Sequence, residues 1–249
     1  MYNYLCEIVA IFMLTTLKKD LFNLRDSDKA KILKRFFKTG KGQYGEGDRF
    51  LGVTVPRQRQ IAKKYRNTHL SHLETLLSSS FHEYRLTALI ILCLQFKEAG
   101  ALERKLIFDF YLRNLKNINN WDLVDISAPN ILGEYLFNKD KSVLYKLALS
   151  KEVWQRRISI LSTFFFIKNG SFSDTLNISG ILINDAHDLI HKAVGWMLRE
   201  IGKRDMKTEE EFLEQYISIM PRTMLRYAIE KLSQEKRERY LKFCSKIRR

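Results

Sequence analysis

Tyr84-Arg-Leu-Thr-Ala-Leu89 has three counterparts further along the chain: Trp121-Asp-Leu-Val-Asp125, Arg156-Arg-Ile-Ser-Ile-Leu161 and Lys192-Ala-Val-Gly-Trp-Met197. Arg85, Trp121, Arg157 and Ala193 stand 36 residues apart, and Leu89, Asp125, Leu161 and Met197, four residues on, keep that spacing. A repeat of this length with two helices per unit predicts an all-α HEAT-like solenoid, antiparallel helix pairs stacked into a superhelix. Such a stack places Arg85, Trp121 and Arg157 side by side on one surface.

The rest of the chain agrees with helices. Leu73, Leu76 and Leu77 share a helix face, as do Leu86, Leu89, Ile90 and Leu94, and Phe212, Tyr216 and Ile219. Small polar residues mark expected helix starts at Ser71, Ser173 and Thr208. Pro56 and Pro221 suit first-turn positions, and Pro129 should break or kink the helix that holds it. With 3 prolines and 11 glycines in 249 residues, the chain lacks the tight turns that a sandwich or barrel needs. Its length suits a single domain over residues 1–249 with a sizeable core.

Lys and Arg number 43 against 28 Asp and Glu, a net charge of +15. A surplus of that size points to a polyanionic partner, nucleic acid before an anionic membrane. The cations concentrate over residues 18–66 and 231–249. Cys6, Cys93 and Cys244 form no zinc or redox spacing and fit a reducing cytoplasm. The apolar N-terminal stretch has no basic leader, carries Glu7 and is too short to span a bilayer, so neither a signal peptide nor a membrane anchor is expected. Met13 is an alternative start.

Several motifs lose most of their force on inspection. Gly40-Lys-Gly-Gln-Tyr-Gly-Glu-Gly-Asp48 contains Gly-x-Gly-x-x-Gly, but a helix rather than a strand precedes it, so it reads as a surface loop. His187-Asp-Leu-Ile-His191 has the i, i+4 geometry of a zinc pair without a third ligand. His187 is expected near a helix start and His191 on a polar face, which leaves a zinc hydrolase as a rival reading. No Gly-x-Ser-x-Gly and no catalytic cysteine signature is present. Trp121 and Asp125 are different: four apart on a helix, they share a face, with Asp122 beside them. A ring face and a carboxylate together make a site for a cation. The alternative is a core tryptophan with a solvated acid. Trp196 lies beside the small residues Ala193 and Gly195, which let a backbone or a ligand approach.

Taken in order, five segments resemble the DNA alkylation repair family of AlkD-like glycosylases. They are Lys29-Ala-Lys-Ile-Leu-Lys-Arg-Phe-Phe-Lys38, Phe50-Leu-Gly-Val-Thr-Val-Pro-Arg-Gln-Arg59, Trp121-Asp-Leu-Val-Asp125, Trp154-Gln-Arg-Arg157 and Lys192-Ala-Val-Gly-Trp-Met-Leu-Arg-Glu200. The resemblance implies a concave basic face that holds duplex DNA. It implies hydrolysis of the N-glycosidic bond of cationic alkylated purines such as 3-methyladenine and 7-methylguanine, by a monomer without metal or small-molecule cofactor. It assigns Asp125 as the catalytic carboxylate, Trp121 and Trp196 as aromatics flanking the damaged nucleotide, and Arg157, Arg59 and Arg199 as DNA contacts. Two departures stand out: Phe36 replaces an expected hydroxyl-bearing aromatic, and the 40–48 loop is longer. The rival within this architecture is a non-catalytic HEAT-repeat module that binds DNA or an acidic protein.

Overall fold

The computed structural model describes residues 2–247, with side chains over 13–242. Expectations about the side chains of Cys6, Glu7, Cys244 and the last basic residues lie outside the described residues. Among the described residues the regular structure is helical apart from one isolated bridge between Arg49 and Phe81. No described helix is long and apolar enough to cross a membrane. The residues fall into two compact units that divide after Ser127.

The first unit holds α1 (Tyr2–Asn23), α2 (Ser27–Phe36), α3 (Val55–Lys64), α4 (Leu70–Leu77), α5 (His82–Glu98), α6 (Ala101–Arg113) and nearly all of α7 (Trp121–Ala128). Helix α5 is its centre and packs on α1, α3, α4 and α6. It is apolar on every side from Leu86 to Leu92 apart from the buried Thr87, as a helix surrounded by others must be. Helix α2 is the opposite case. It buries no residue and carries Lys29, Lys31, Lys34 and Arg35.

The second unit continues with α8 (Glu134–Leu136), α9 (Ser142–Ala148), α10 (Val153–Lys168), α11 (Ser173–Ile181), α12 (Asp188–Gly202), α13 (Met206–Tyr216), α14 (Arg222–Ala228) and α15 (Gln234–Ile247). Here the repeat is explicit. α9 packs on α10 and α11, α10 on α12, and α12 on α14, so the second helices of successive pairs form one layer and the first helices another. Ile190, Ala193, Val194, Met197, Leu198 and Ile201 form the buried stripe of α12 at helical spacing. This is the α-solenoid fold expected from the 36-residue spacing.

A polar staple repeats as well. Arg85 Nη1 donates to the Ser79 carbonyl at 2.9 Å, and Arg156 Nη1 donates to the Ser150 carbonyl at 2.9 Å, six residues upstream in each case. Arg85 reaches on to Asp48, and Arg156 to Asp185. The expectation that Arg85 and Arg157 lie on a surface is therefore corrected: they are 4% and 5% exposed. The Arg85 guanidinium is taken up by two loop oxygens, the Ser79 carbonyl and the Asp48 carboxylate, and the Arg157 guanidinium donates to the Leu189 carbonyl in the first turn of α12.

Local signals work with small displacements. Helix α7 ends at Ala128, and Pro129, which has no N–H to give the α-helical ladder, opens a turn of π-helix over Pro129–Gly133. The α13 cap is Asp205 rather than Thr208. Its carboxylate accepts from the Thr208 N–H and hydroxyl, so Thr208 is the residue being capped. Likewise His69, not Ser71, caps α4. Pro221 stands just before α14 rather than inside its first turn.

Gly195 lets α14 approach α12. A methyl built there would stand 2.6 Å from Tyr227 Cβ and closer still to the Met224 carbonyl oxygen. Gly195→Ala is therefore expected to lower unfolding free energy by about 2 kcal/mol through overpacking, measurable as a reduced urea midpoint at unchanged m-value.

Candidate functional site

The α7 start is held from several directions. Its first residue, Trp121, stacks on Phe37 with centroids 5.3 Å apart and planes at 16°, and meets Phe36 edge-on at 5.8 Å. Phe37 also lies 4.7 Å from the His82 ring, which in turn stacks on Phe50 at 4.9 Å. The Trp121 N–H donates to Asn120 Oδ1 at 2.8 Å. Asn120 Nδ2 donates to Asp48 Oδ2 at 3.2 Å.

His82 is the hub. It is 2% exposed, yet its Nδ1 bonds Asp48 Oδ2 at 3.0 Å and its Nε2 bonds Asp122 Oδ2 at 2.8 Å. Burial works against its charge, but the bonds to Asp122 and Asp48 outweigh burial and raise its pKa to about 9. Both ring nitrogens then donate at neutral pH. Asp48 lies below the ordinary carboxylate range, because His82 and Arg85 outweigh its own desolvation. Arg85 Nη2 reaches Asp48 Oδ1 at 2.6 Å. One carboxylate at the end of the glycine loop thus gathers Asn120, His82 and Arg85.

Beside this network Glu83 accepts three backbone N–H bonds, from Leu51 (2.9 Å), Gly52 (2.8 Å) and Val53 (3.3 Å). Gly52 has φ +85°, the left-handed region. These bonds fix the turn into α3. A cavity of about 400 Å³ lies between α2, the start of α3 and the start of α7, with Phe36, Phe37, Phe50, Val55 and Trp121 among its lining. Phe36, at the departure from the family pattern, is 60% exposed.

Asp125 is half-buried on α7, one turn after Trp121 on the same face. Asp122 belongs to His82. Arg59 is exposed on α3. Residues 40–48 form the expected surface loop, but its last residue, Asp48, is buried.

In the second unit Trp196 is half-buried on α12. Its Nε1 donates to Glu200 Oε1 at 3.2 Å, and its ring lies 5.7 Å from Phe164. Glu200 is held ionised despite burial, chiefly by Lys203 at 2.6 Å. Arg199 pairs with Glu230. Arg157 Nη1 donates to the Leu189 carbonyl at 2.6 Å. His187 caps α12 through Nδ1, which accepts from the Leu189 N–H at 3.1 Å, and His191 Nε2 bonds the Asp185 carbonyl. These two histidines serve the helix start. Among the described residues no group of three His, Cys, Asp or Glu side chains could hold a metal ion.

The network was not legible in the sequence. His82, Asp48, Asn120 and the role of Asp122 come from segments 34 to 72 residues apart. The one available signal was His82 three residues before Arg85, the spacing of one helix face.

The pattern described as DNA alkylation repair enzyme matches residues 17–232. The chain belongs to the DNA alkylation repair enzyme family. No curated protein matches it. Among solved structures it is similar to a predicted DNA alkylation repair enzyme from Enterococcus faecalis, with TM-score 0.66 and 16% identity over 84% of this chain and 97% of that one. A second similar structure is smu.31 from Streptococcus mutans UA159, with TM-score 0.48 and 17% identity over 77% and 92% of the two chains. At 16% identity the first of these likenesses shows the α-solenoid fold and no more. Membership makes this an enzyme family associated with DNA repair, and the matched span includes Trp121, Asp125, Arg157, Trp196, Arg199 and Arg59.

Proposed function

We propose that this protein is a DNA glycosylase that removes cationic alkylated purines, 3-methyladenine and 7-methylguanine, from duplex DNA, as a metal-free and cofactor-free monomer. The observation that carries the reading is the division of labour at the start of α7. Trp121 is fixed by Phe37 and Asn120, Asp122 is committed to His82, and Asp125 stands one turn on, beside the Trp121 face. A rigid ring face and a carboxylate complement a cationic base and the positive charge that develops on its sugar.

Alkylation at N3 or N7 already makes the base a good leaving group, so a strong general acid is not required. The carboxylate stabilises the oxocarbenium-like transition state and orients the attacking water. Trp196 is proposed as the second aromatic, and Arg199 and Arg59 as DNA contacts; Arg157 is proposed to reach the backbone by exchanging its bond to the Leu189 carbonyl for a phosphate.

Charge supports the substrate. Lys34, Arg35, Lys38 and Lys41, at and after the end of α2, are exposed, and none has an ion-pair partner among the described residues. Arg57, Arg59 and Lys63 on α3 are exposed in the same way. Such cations displace counterions from phosphates. Duplex affinity is therefore expected to fall about 10³-fold between about 50 and 200 mM salt if about six phosphates are contacted. Fluorescence anisotropy across a salt series measures this, and a flat series would remove the phosphate reading.

The test of the reaction is single-turnover release of base from duplex DNA carrying 7-methylguanine, with EDTA present. Release supports the glycosylase. Salt-sensitive binding without release would leave a DNA-binding module.

A further inference from the structure

Trp121 lies between two clamped neighbours. Asn120 takes the Trp121 N–H and gives its own amide to Asp48. Asp122 accepts a hydrogen bond from the His82 Nε2–H and, with its other oxygen, one from the Leu123 N–H at 2.9 Å. Asp48 and His82 are bonded to each other, so both clamps meet in one buried pair. The ring of Phe37 adds a third connection, since it touches both His82 and Trp121.

We propose that His82 is a positioning residue for the reaction: as an imidazolium it ties Asp122 to Asp48 and thereby holds the first turn of α7, with Trp121 and Asp125, in its working orientation. The chemical consequence rests on the glycosylase reading; the geometric one does not.

The groups that face His82 are Asp48 from the loop, Asp122 from α7, and Arg85 from its own helix, whose Nη2 is 3.5 Å from Nδ1. Glu83 of α5 and Lys29 of α2 line the adjoining cavity. The two carboxylates favour the charged ring and Arg85 opposes it. Loss of the proton would leave one of the two carboxylates facing a lone pair. Asp48 keeps Arg85 and Asn120, and Arg85 Nη2 stands 3.5 Å from Nδ1, so Nδ1 is the nitrogen that gives up its proton and the link between the ring and Asp48 is the one released, which unties Asp122 from Asp48.

Two readouts separate this proposal from the functional reading. The first needs no activity. In a Trp154→Phe/Trp196→Phe chain Trp121 is the sole tryptophan. Its emission is followed from about pH 6 to about pH 10. A transition near the His82 pKa of about 9 is expected, absent in His82→Gln and moved to lower pH in Asp122→Asn. The second readout is single-turnover release at neutral pH, with affinity for undamaged duplex measured alongside. His82→Gln is expected to slow release about 10- to 100-fold, as misplacement of reacting groups does, with duplex affinity changed less than about twofold.

A Trp121 signal that is flat in the single-tryptophan chain, or that titrates identically when His82→Gln is added to it, overturns the proposal. So does release by folded His82→Gln within about twofold of wild type. If the wild type releases no base, the glycosylase reading fails and the Trp121 titration alone decides. If His82→Gln does not fold, as judged by circular dichroism, Asp122→Asn carries both comparisons. It retains Oδ1 for the Leu123 N–H and replaces Oδ2 with an amide NH2, which removes both the charge and the acceptor that hold the ring.

Discussion

Asp125→Asn is expected to slow release of 7-methylguanine by about 10²- to 10³-fold, a loss of about 3–4 kcal/mol of transition-state stabilisation, in single-turnover assays at saturating enzyme. The magnitude follows from what the carboxylate is proposed to do. The alkylated base carries positive charge in the ground state, and the sugar acquires it as the bond breaks. A preorganised negative charge next to that sugar acts mainly on the transition state, so the rate should fall with little change in affinity for undamaged duplex. Asparagine keeps the shape and removes the charge, which isolates the electrostatic effect from packing. Asp122→Asn is the informative contrast. Asp122 lies one residue after Trp121 but is bonded to His82 at 2.8 Å, so its loss should act through the orientation of α7. Unchanged release by Asp125→Asn would remove this residue from the chemistry and with it the principal support for the proposed mechanism.

The second large effect is on stability. Asp48→Ala is expected to cost about 3–5 kcal/mol of unfolding free energy, because it leaves two buried cationic side chains, Arg85 and His82, without their shared anion. The same network predicts a pH dependence, with opposite signs for its two members. The His82 pKa is raised from 6.5 to about 9 in the fold. Its contribution is therefore complete below pH 6.5 and is lost as pH rises toward 9, an effect on the order of 3 kcal/mol. Asp48 is depressed from 3.8, so its contribution is present above that value and is lost as pH falls through the lower, folded one. Urea unfolding between about pH 6 and about pH 9 measures the first slope, which should be absent in His82→Gln. A wild-type stability that stays flat across that range would show that the fold does not raise the His82 pKa.

Some of this molecule was available from its residues alone. Periodic Leu, Ile and Val positions, few prolines and the 36-residue spacing determine a stack of helix pairs, because an apolar stripe repeated at that interval can be buried only against its neighbours. Pro129 determined the change from α-helical to π-helical turns after Ala128, because a residue without an N–H cannot give the α-helical ladder its next bond. The i, i+4 relation of Trp121 and Asp125 also needed only the sequence, since one helical turn fixes it.

What lies around α7 needed the tertiary structure. That Asp48, at the end of a glycine-rich loop, would become a buried anion could not be read locally, because loop aspartates are ordinarily solvated. Its burial depends on Arg85, His82 and Asn120 arriving from two other segments to replace lost water. The same holds for Arg85 and Arg157. Repeat phase places them on corresponding helices but does not say whether they lie along the surface or are buried and bonded to a carbonyl. Helical period is a property of neighbouring residues, whereas a buried charge is tolerated only when distant residues converge on it.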